Sequence, residues 1–294
     1  MNTSRRKFLV AGMAVLPAST VLGSAPSSGS HSRTKVAGAR MKLGMVTYNL
    51  GKDWDIPTLI DHCRRTRFEG VELRTTHRHG VEVTLSPEQR AEVRRRFADS
   101  PVELFSLGSA FDYHTPDATR LRADMEATRE YLQLAKDVGA SGIKVRPNGL
   151  PKDVPEEKTL EQIGRSLSEL GGTAADLGLQ IRLEVHGTGT AQLPRIRRIM
   201  DIANHPNVGV CWNSNQTDLD GAGFDANFDL VRGRINEVHL RDLYLDEYPF
   251  RNLFQRLKES GYTGYTLAEI PESPDPIRVM NYFRGLWLAY QDRI

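Results

Sequence analysis

The chain has 294 residues, 39% hydrophobic and 26% charged, which is the balance of an ordinary soluble globular protein and argues against a disordered or fibrous one. Its 39 basic and 37 acidic side chains leave a formal net charge of +2, so charge does not drive a nucleic-acid reading, and the run Arg94, Arg95 and Arg96 reads as a solvated helix face. The only two cysteines, Cys63 and Cys211, fall in a predicted helix and a predicted strand, which argues for core thiols rather than a disulfide framework.

The first forty residues read as an address. Ser4, Arg5, Arg6, Lys7, Phe8 and Leu9 precede an apolar stretch over 10–22 interrupted by Pro17, and no acidic residue occurs before Asp53. This resembles a twin-arginine export signal, too short and too rich in glycine and alanine for a transmembrane span, which needs about 20 apolar residues. Residues 1–40 are therefore assigned to signal and flexible linker, with Ala37-Gly38-Ala39 as a candidate cleavage site, and 41–294 to one domain. An exported, periplasmic or extracytoplasmic protein is expected, with no membrane partner in its mature form.

From Met41 onward one unit repeats: a short β-rich apolar run, a polar or glycine-containing loop, then a stretch of helical periodicity. Strands are predicted at 42–49, 70–74, 102–108, 142–146, 180–186, 208–213, 235–240 and 264–270. The intervening helices are predicted at 57–68, 86–99, 118–138, 160–177, 193–203, 227–231, 250–260 and 275–290. Ser86 followed by Pro87 marks a helix start, and Gly139, Gly178 and Gly261 mark helix ends where a left-handed residue is wanted. Strands that alternate with helices demand right-handed crossovers and a parallel sheet, open or closed. The segment Tyr48-Asn49-Leu50-Gly51-Lys52-Asp53 after the first strand carries no dinucleotide-binding glycine pattern, and no phosphate-binding loop occurs elsewhere. Eight strands then predict a single (β/α)8 TIM barrel.

In such a barrel the chemistry collects where the strands run out into the βα loops. The last four predicted strands each carry a polar residue there: Glu184 in Leu183-Glu184-Val185-His186-Gly187, Asn213 after Cys211 and Trp212, His239 in Val238-His239-Leu240-Arg241-Asp242, and Glu269 in Ala268-Glu269-Ile270. Singly, each is an ordinary ion-paired or hydrogen-bonded core residue. Together, at equivalent ends of four consecutive strands, they are expensive to bury without a cation. Three oxygens and one imidazole suit a divalent metal ion, Mn²⁺ first and Co²⁺, Mg²⁺ or Zn²⁺ after it. His186, two residues from Glu184 and so on the same face, is a candidate substrate contact. Arg241 and Asp242 are placed to bind a hydroxyl or to orient His239 from behind, and Trp54 and Trp212 to pack an aromatic face on the substrate.

These patterns, with Val71-Glu72-Leu73, resemble the xylose-isomerase-like barrel superfamily, the sugar phosphate isomerase/epimerase group, over nearly all of 41–294. The resemblance implies that Glu184, position 213, His239 and Glu269 bind the metal, and that Glu184 and Glu269 sit on opposite faces of the substrate as catalytic acid and base. Position 213 departs from the pattern: Asn213 stands where the family has an aspartate, which weakens the ligand set and opens Asp218 or Asp242 as substitutes, or loss of the metal.

The expected reaction is isomerisation or epimerisation of a sugar or keto-sugar by abstraction of a proton α to its carbonyl. Rivals are a keto-sugar dehydratase or keto-glycoside lyase on the same site, and a non-catalytic sugar-binding barrel. The superfamily's endonuclease branch is disfavoured by the missing basic groove. Export argues for an unphosphorylated sugar as partner, and a homo-oligomer is compatible with the sequence.

Overall fold

The computed structural model describes residues 40–293, so the export signal expected within 1–40 lies, all but its last residue, outside the described residues. Eight parallel strands close on themselves in chain order: β1 (Lys42–Val46), β2 (Gly70–Arg74), β3 (Glu103–Asp112), β4 (Gly142–Arg146), β5 (Gln180–Glu184), β6 (Val208–Asn213), β7 (Ile235–Leu240) and β8 (Tyr265–Ala268). The barrel shuts where Lys42 to Met45 of β1 pair with Tyr265 to Ala268 of β8. One helix follows each strand: α1 (Ile56–Thr66), α2 (Pro87–Ala98), α3 (Ala118–Val138), α4 (Glu156–Leu177), α5 (Leu193–Ala203), α6 (Phe224–Val231), α7 (Phe250–Glu259) and α8 (Pro276–Tyr290).

The predicted helix signals act as expected. Ser86 and Gln89 form a reciprocal capping box at the start of α2, and Gly139 and Gly178 close α3 and α4 in the left-handed conformation, at φ 84° and 71°. Two differences matter. β3 runs four residues beyond its predicted end, to Asp112, across a register shift between Gly108 and Asp112. β5 and β8 end sooner than predicted, so His186 and Glu269 stand just past their strands, on the loops that line the mouth.

Strand alternation is inverted relative to a sheet with one wet face. Val71 and Leu73, Ile143 and Val145, Ile181 and Leu183, and Val238 and Leu240 are fully buried in the main apolar core, which fills the space between barrel and helices. Each such side chain contributes roughly 1.5–3 kcal/mol by leaving water. Their neighbours along the strands, Glu72, Lys144, Arg182, Glu184, Glu237 and His239, point the other way and are also buried. A small separate apolar cluster is formed by Val46, Phe105, Tyr265 and Leu267, from β1, β3 and β8. The barrel lumen is thus partly charged, and that is what builds the site.

Candidate active site

The C-terminal ends of the strands surround a cavity of about 350 Å³ whose lining includes Lys144, Glu184, His186, Asn213, Arg241 and Glu269. A larger cavity, about 630 Å³, opens at the opposite end beside Gln180, Val208 and Ile235, the first residues of β5, β6 and β7. In barrels of this type that end serves stability, so the smaller cavity is the candidate site.

Its geometry follows from register. Asn213 of β6 pairs with His239 of β7, and Glu184 of β5 pairs with Cys211, two residues before Asn213. His239 Nδ1 lies 3.7 Å from Glu184 Oε1 and 3.6 Å from Glu269 Oε2. Asn213 Nδ2 donates to the same Glu184 Oε1 at 3.3 Å. The potential ligand atoms of Glu184, His239 and Glu269 all lie within 4.8 Å of one another. His239 Nδ1 is buried and makes no hydrogen bond. Adjacent donors around a cation at 2.0–2.2 Å stand about 3–3.5 Å apart, whereas a hydrogen-bonded pair would close to about 2.9 Å. The arrangement therefore fits a divalent cation at this point, with the Asn213 side-chain oxygen as fourth donor once its amide turns.

Beneath His239 the charge continues. Its Nε2 lies 3.6 Å from Glu72 Oε1 and 3.7 Å from Glu237 Oε1, both carboxylates fully buried. Burial opposes ionisation of Glu72, but the charges of His239 and Lys144 outweigh it and pull its pKa down to about 2. Burial and the like charge of Glu72 push Glu237 up to about 7. Burial also opposes charge on the His239 ring, yet the surrounding groups, Glu72 and Glu184 among them, hold its pKa above the ordinary histidine value. Gly108 on β3 leaves the room Glu72 needs, since a Cβ there would fall 2.6 Å from Glu72 Oε1. Cys211, Glu237 and His239 form a second group of potential ligands, none of which lines the cavity, whereas in the first group Glu184 and Glu269 both do and His239 lies just behind them.

Lys144 was not singled out in the sequence. Its Nζ donates to Glu184 Oε2 at 2.7 Å, both side chains being about 95% buried, so the two oxygens of Glu184 have separate partners: Oε2 the ammonium, Oε1 the His239 and Asn213 side. Burial disfavours the charge on each, and their mutual attraction more than restores it, lowering the pKa of Glu184 and raising that of Lys144. The available signal was period two: Lys144 and Arg146 alternate with the buried Ile143 and Val145 along β4.

The structure brings Glu184, Asn213, His239 and Glu269 together, and places His186 and Arg241 on the same cavity. Burial lowers the pKa of His186. The other predicted contacts are elsewhere. Trp212 points outward from β6, packs on Phe224 and Phe228 of α6, and donates Nε1–H to Tyr248 Oη at 3.0 Å. Trp54 packs edge-on against His62 of α1, and neither tryptophan lines the cavity. Asp242 forms no ion pair with His239 among the described residues, and its pKa is raised by burial. Asp218 neither lines the cavity nor joins the group around His239; its Oδ2 accepts from Tyr248 Oη at 2.6 Å and from the Asn215 backbone at 3.0 Å.

Known proteins share this frame. Inosose dehydratase of Lacticaseibacillus casei is 23% identical over 150 residues, 42% of this chain and 50% of that protein, so the chain spans about half the length of the curated relative it matches. Among solved structures, 3-keto-D-glucoside 4-epimerase from E. coli superposes with a TM-score of 0.71 at 17% identity, covering 85% of this chain and 99% of that one. The IOLI protein, solved with a bound zinc atom, superposes with a TM-score of 0.70 at 16% identity, covering 85% and 98%. A family model described as a xylose isomerase-like TIM barrel matches residues 60–284, most of the chain. The chain belongs to the xylose isomerase-like TIM barrel family.

Proposed function

We propose that the protein is a divalent-metal-dependent isomerase or epimerase that moves a proton at a carbon α to the carbonyl of a sugar or keto-sugar. The observation that carries this reading is the gap at His239 Nδ1: a buried ring nitrogen, hydrogen-bonded to nothing, 3.6–3.7 Å from two carboxylates that line the cavity. Glu184, Asn213, His239 and Glu269 would hold the cation, Mn²⁺ being the first choice for this donor set, and it would supply Lewis-acid polarisation of the substrate's oxygens.

The chain's own groups do the rest. The Glu184 side chain is 4% exposed and that of Glu269 is 20% exposed, so one carboxylate lies deep and the other nearer the mouth, a pair able to take a proton from the α carbon and return one to it. Lys144 keeps Glu184 ionised, and as a cation on the cavity wall it stabilises negative charge that develops on a substrate oxygen. His186 offers the substrate a hydrogen bond from the β5 loop. The same groups serve elimination of a β-substituent, and the similarity to inosose dehydratase favours that as the second reading.

The test is to incubate the metal-loaded protein with keto-sugars in D₂O and follow deuterium at the α carbon. Exchange is expected in the native protein and absent in Glu269→Gln, with product identity separating epimerisation from elimination. A purified protein that neither retains metal nor exchanges deuterium after Mn²⁺ is added would sink the proposal.

A further inference from the structure

The cavity lining carries more positive charge than the proton transfer uses. Arg74 from the end of β2, Arg146 from the end of β4 and Arg241 just past β7 all face the cavity with Lys144, and the only carboxylates among its lining residues are Glu184 and Glu269. Glu184 is taken by Lys144. None of the three guanidinium groups lies within 4.0 Å of a carboxylate among the described residues, although many other arginines of the chain do.

Their hydrogen-bond partners are few. Arg74 Nη1 donates to its neighbour's carbonyl, Thr75 O, at 3.2 Å, and Arg146 Nη2 donates to Ala110 O at 3.2 Å. Arg146 Nε, Arg241 Nε and Arg241 Nη2 are shielded from solvent with no acceptor at all. Arg241 lies 5.9 Å from the Tyr248 ring centroid and makes no ion pair with Asp218, whose Oδ2 accepts from Tyr248 and Asn215. Its backbone is pinned as well, the Arg241 N–H donating to Ser214 Oγ at 3.1 Å. Shielded guanidinium N–H groups without acceptors are costly, and an anion is what repays them. A metal ion in the site adds further positive charge, so it strengthens the demand for an anion.

We infer that the substrate of this site is an anionic sugar, whose charged group, a carboxylate if the protein is exported and a carboxylate or phosphate otherwise, is held by Arg146 and Arg241, with Arg74 adding its charge at the rim. This rests on the proposed reaction only for the word sugar; the anion requirement comes from the lining itself. Planar guanidinium groups favour bidentate contact with either kind of anion. A cavity of about 350 Å³ is at the small end for ligands, which suits a single sugar ring with one charged substituent.

The experiment is calorimetric binding to the metal-loaded protein of three matched sets of keto-sugars: neutral ketohexoses, the corresponding keto-uronates and the corresponding ketohexose 6-phosphates. Binding of the uronates at least tenfold tighter than the neutral sugars, weakening as salt is raised, supports the inference with a carboxylate as the anion; the same preference for the 6-phosphates supports it with a phosphate. Arg146→Gln and Arg241→Gln should each lose about ten- to a hundredfold in affinity for the preferred anion, and far less for the neutral sugar. Equal affinity across the three sets overturns the inference, as does an anion preference that survives both substitutions. Deuterium exchange on the same compounds keeps the two claims apart. Anion-selective binding without exchange overturns the reaction and leaves the substrate class, whereas exchange on neutral keto-sugars without anion preference does the reverse.

Discussion

Lys144 Nζ and Glu184 Oε2 are 2.7 Å apart with both side chains buried, and this contact sets the state of the deepest carboxylate in the cavity. Each charge alone in that position would be disfavoured by burial, so the two stand or fall together. Lys144→Met is expected to destabilise the metal-free protein by about 3–5 kcal/mol, the usual cost of leaving a buried charge without its partner. Adding Glu184→Gln should recover part of that loss, because the stranded charge is gone. Chemical denaturation of the two single variants and the double variant measures the coupling, and strictly additive losses would show that the pair is not acting as one unit.

Glu72 faces the other nitrogen of the same imidazole that Glu184 and Glu269 approach, at 3.6 Å from His239 Nε2. A carboxylate behind a histidine fixes the ring and makes its outer nitrogen a better donor to a metal. Glu72→Gln keeps the shape and removes the charge. It should lower metal affinity or turnover by about 10–100-fold while the circular dichroism of the folded protein is unchanged. A metal titration that gives the same affinity as the native protein would remove Glu72 from the site.

The barrel was legible because eight strand-and-helix units announce themselves by period alone, and because Gly139 and Gly178 end helices in a left-handed backbone that few other residues adopt while Ser86 starts one with a side-chain cap. The four converging residues were legible because polar groups interrupt apolar strands at equivalent places. Lys144 and Arg146 have the same signature on β4, and reading only the last four strands passed over them. Trp212 shows the converse: it alternates with Cys211 and Asn213, so period two already turned it away from the lumen, toward α6. The position of Glu72 under His239 was not legible, since it depends on how far β2 is shifted along the barrel relative to β7, and register across a closed sheet is a three-dimensional quantity.

Asn213 is the neutral member of the proposed ligand set, where the resemblance implies an aspartate, and placing a carboxylate there tests what the difference does. In Asn213→Asp a third negative side chain would stand with Glu184 and Glu269 around the gap at His239 Nδ1. Ligand charge count tunes cation affinity, so divalent metal should bind roughly tenfold tighter or more. Without metal the same change crowds like charges and should lower the melting temperature. Opposite signs with and without metal are the signature. A variant that melts lower under both conditions, with no gain in metal affinity, would mean that position 213 does not face the cation.

Asp218 gives the pH dependence that lies outside the ligand set. Burial pushes its pKa up to about 7 against the hydrogen bonds from Tyr248 and Asn215 and the charge of Arg241, while Asp220 adds a smaller push upward. The group therefore keeps its proton in the folded protein at pH values where the unfolded chain has lost it. Below pH 3.8 both states are protonated and the contribution is fully present; between 3.8 and about 7 the unfolded state ionises first, so stability falls as pH rises, and above about 7 it levels off. The span amounts to roughly 4 kcal/mol at most, a shift of about three units at 1.36 kcal/mol each. Asp218→Asn removes the titration and preserves an oxygen to accept from Tyr248 and Asn215, so its stability relative to the native protein should rise steadily from pH 4 to 7. Denaturation midpoints of both proteins across that range measure it, and parallel curves would place the Asp218 proton elsewhere.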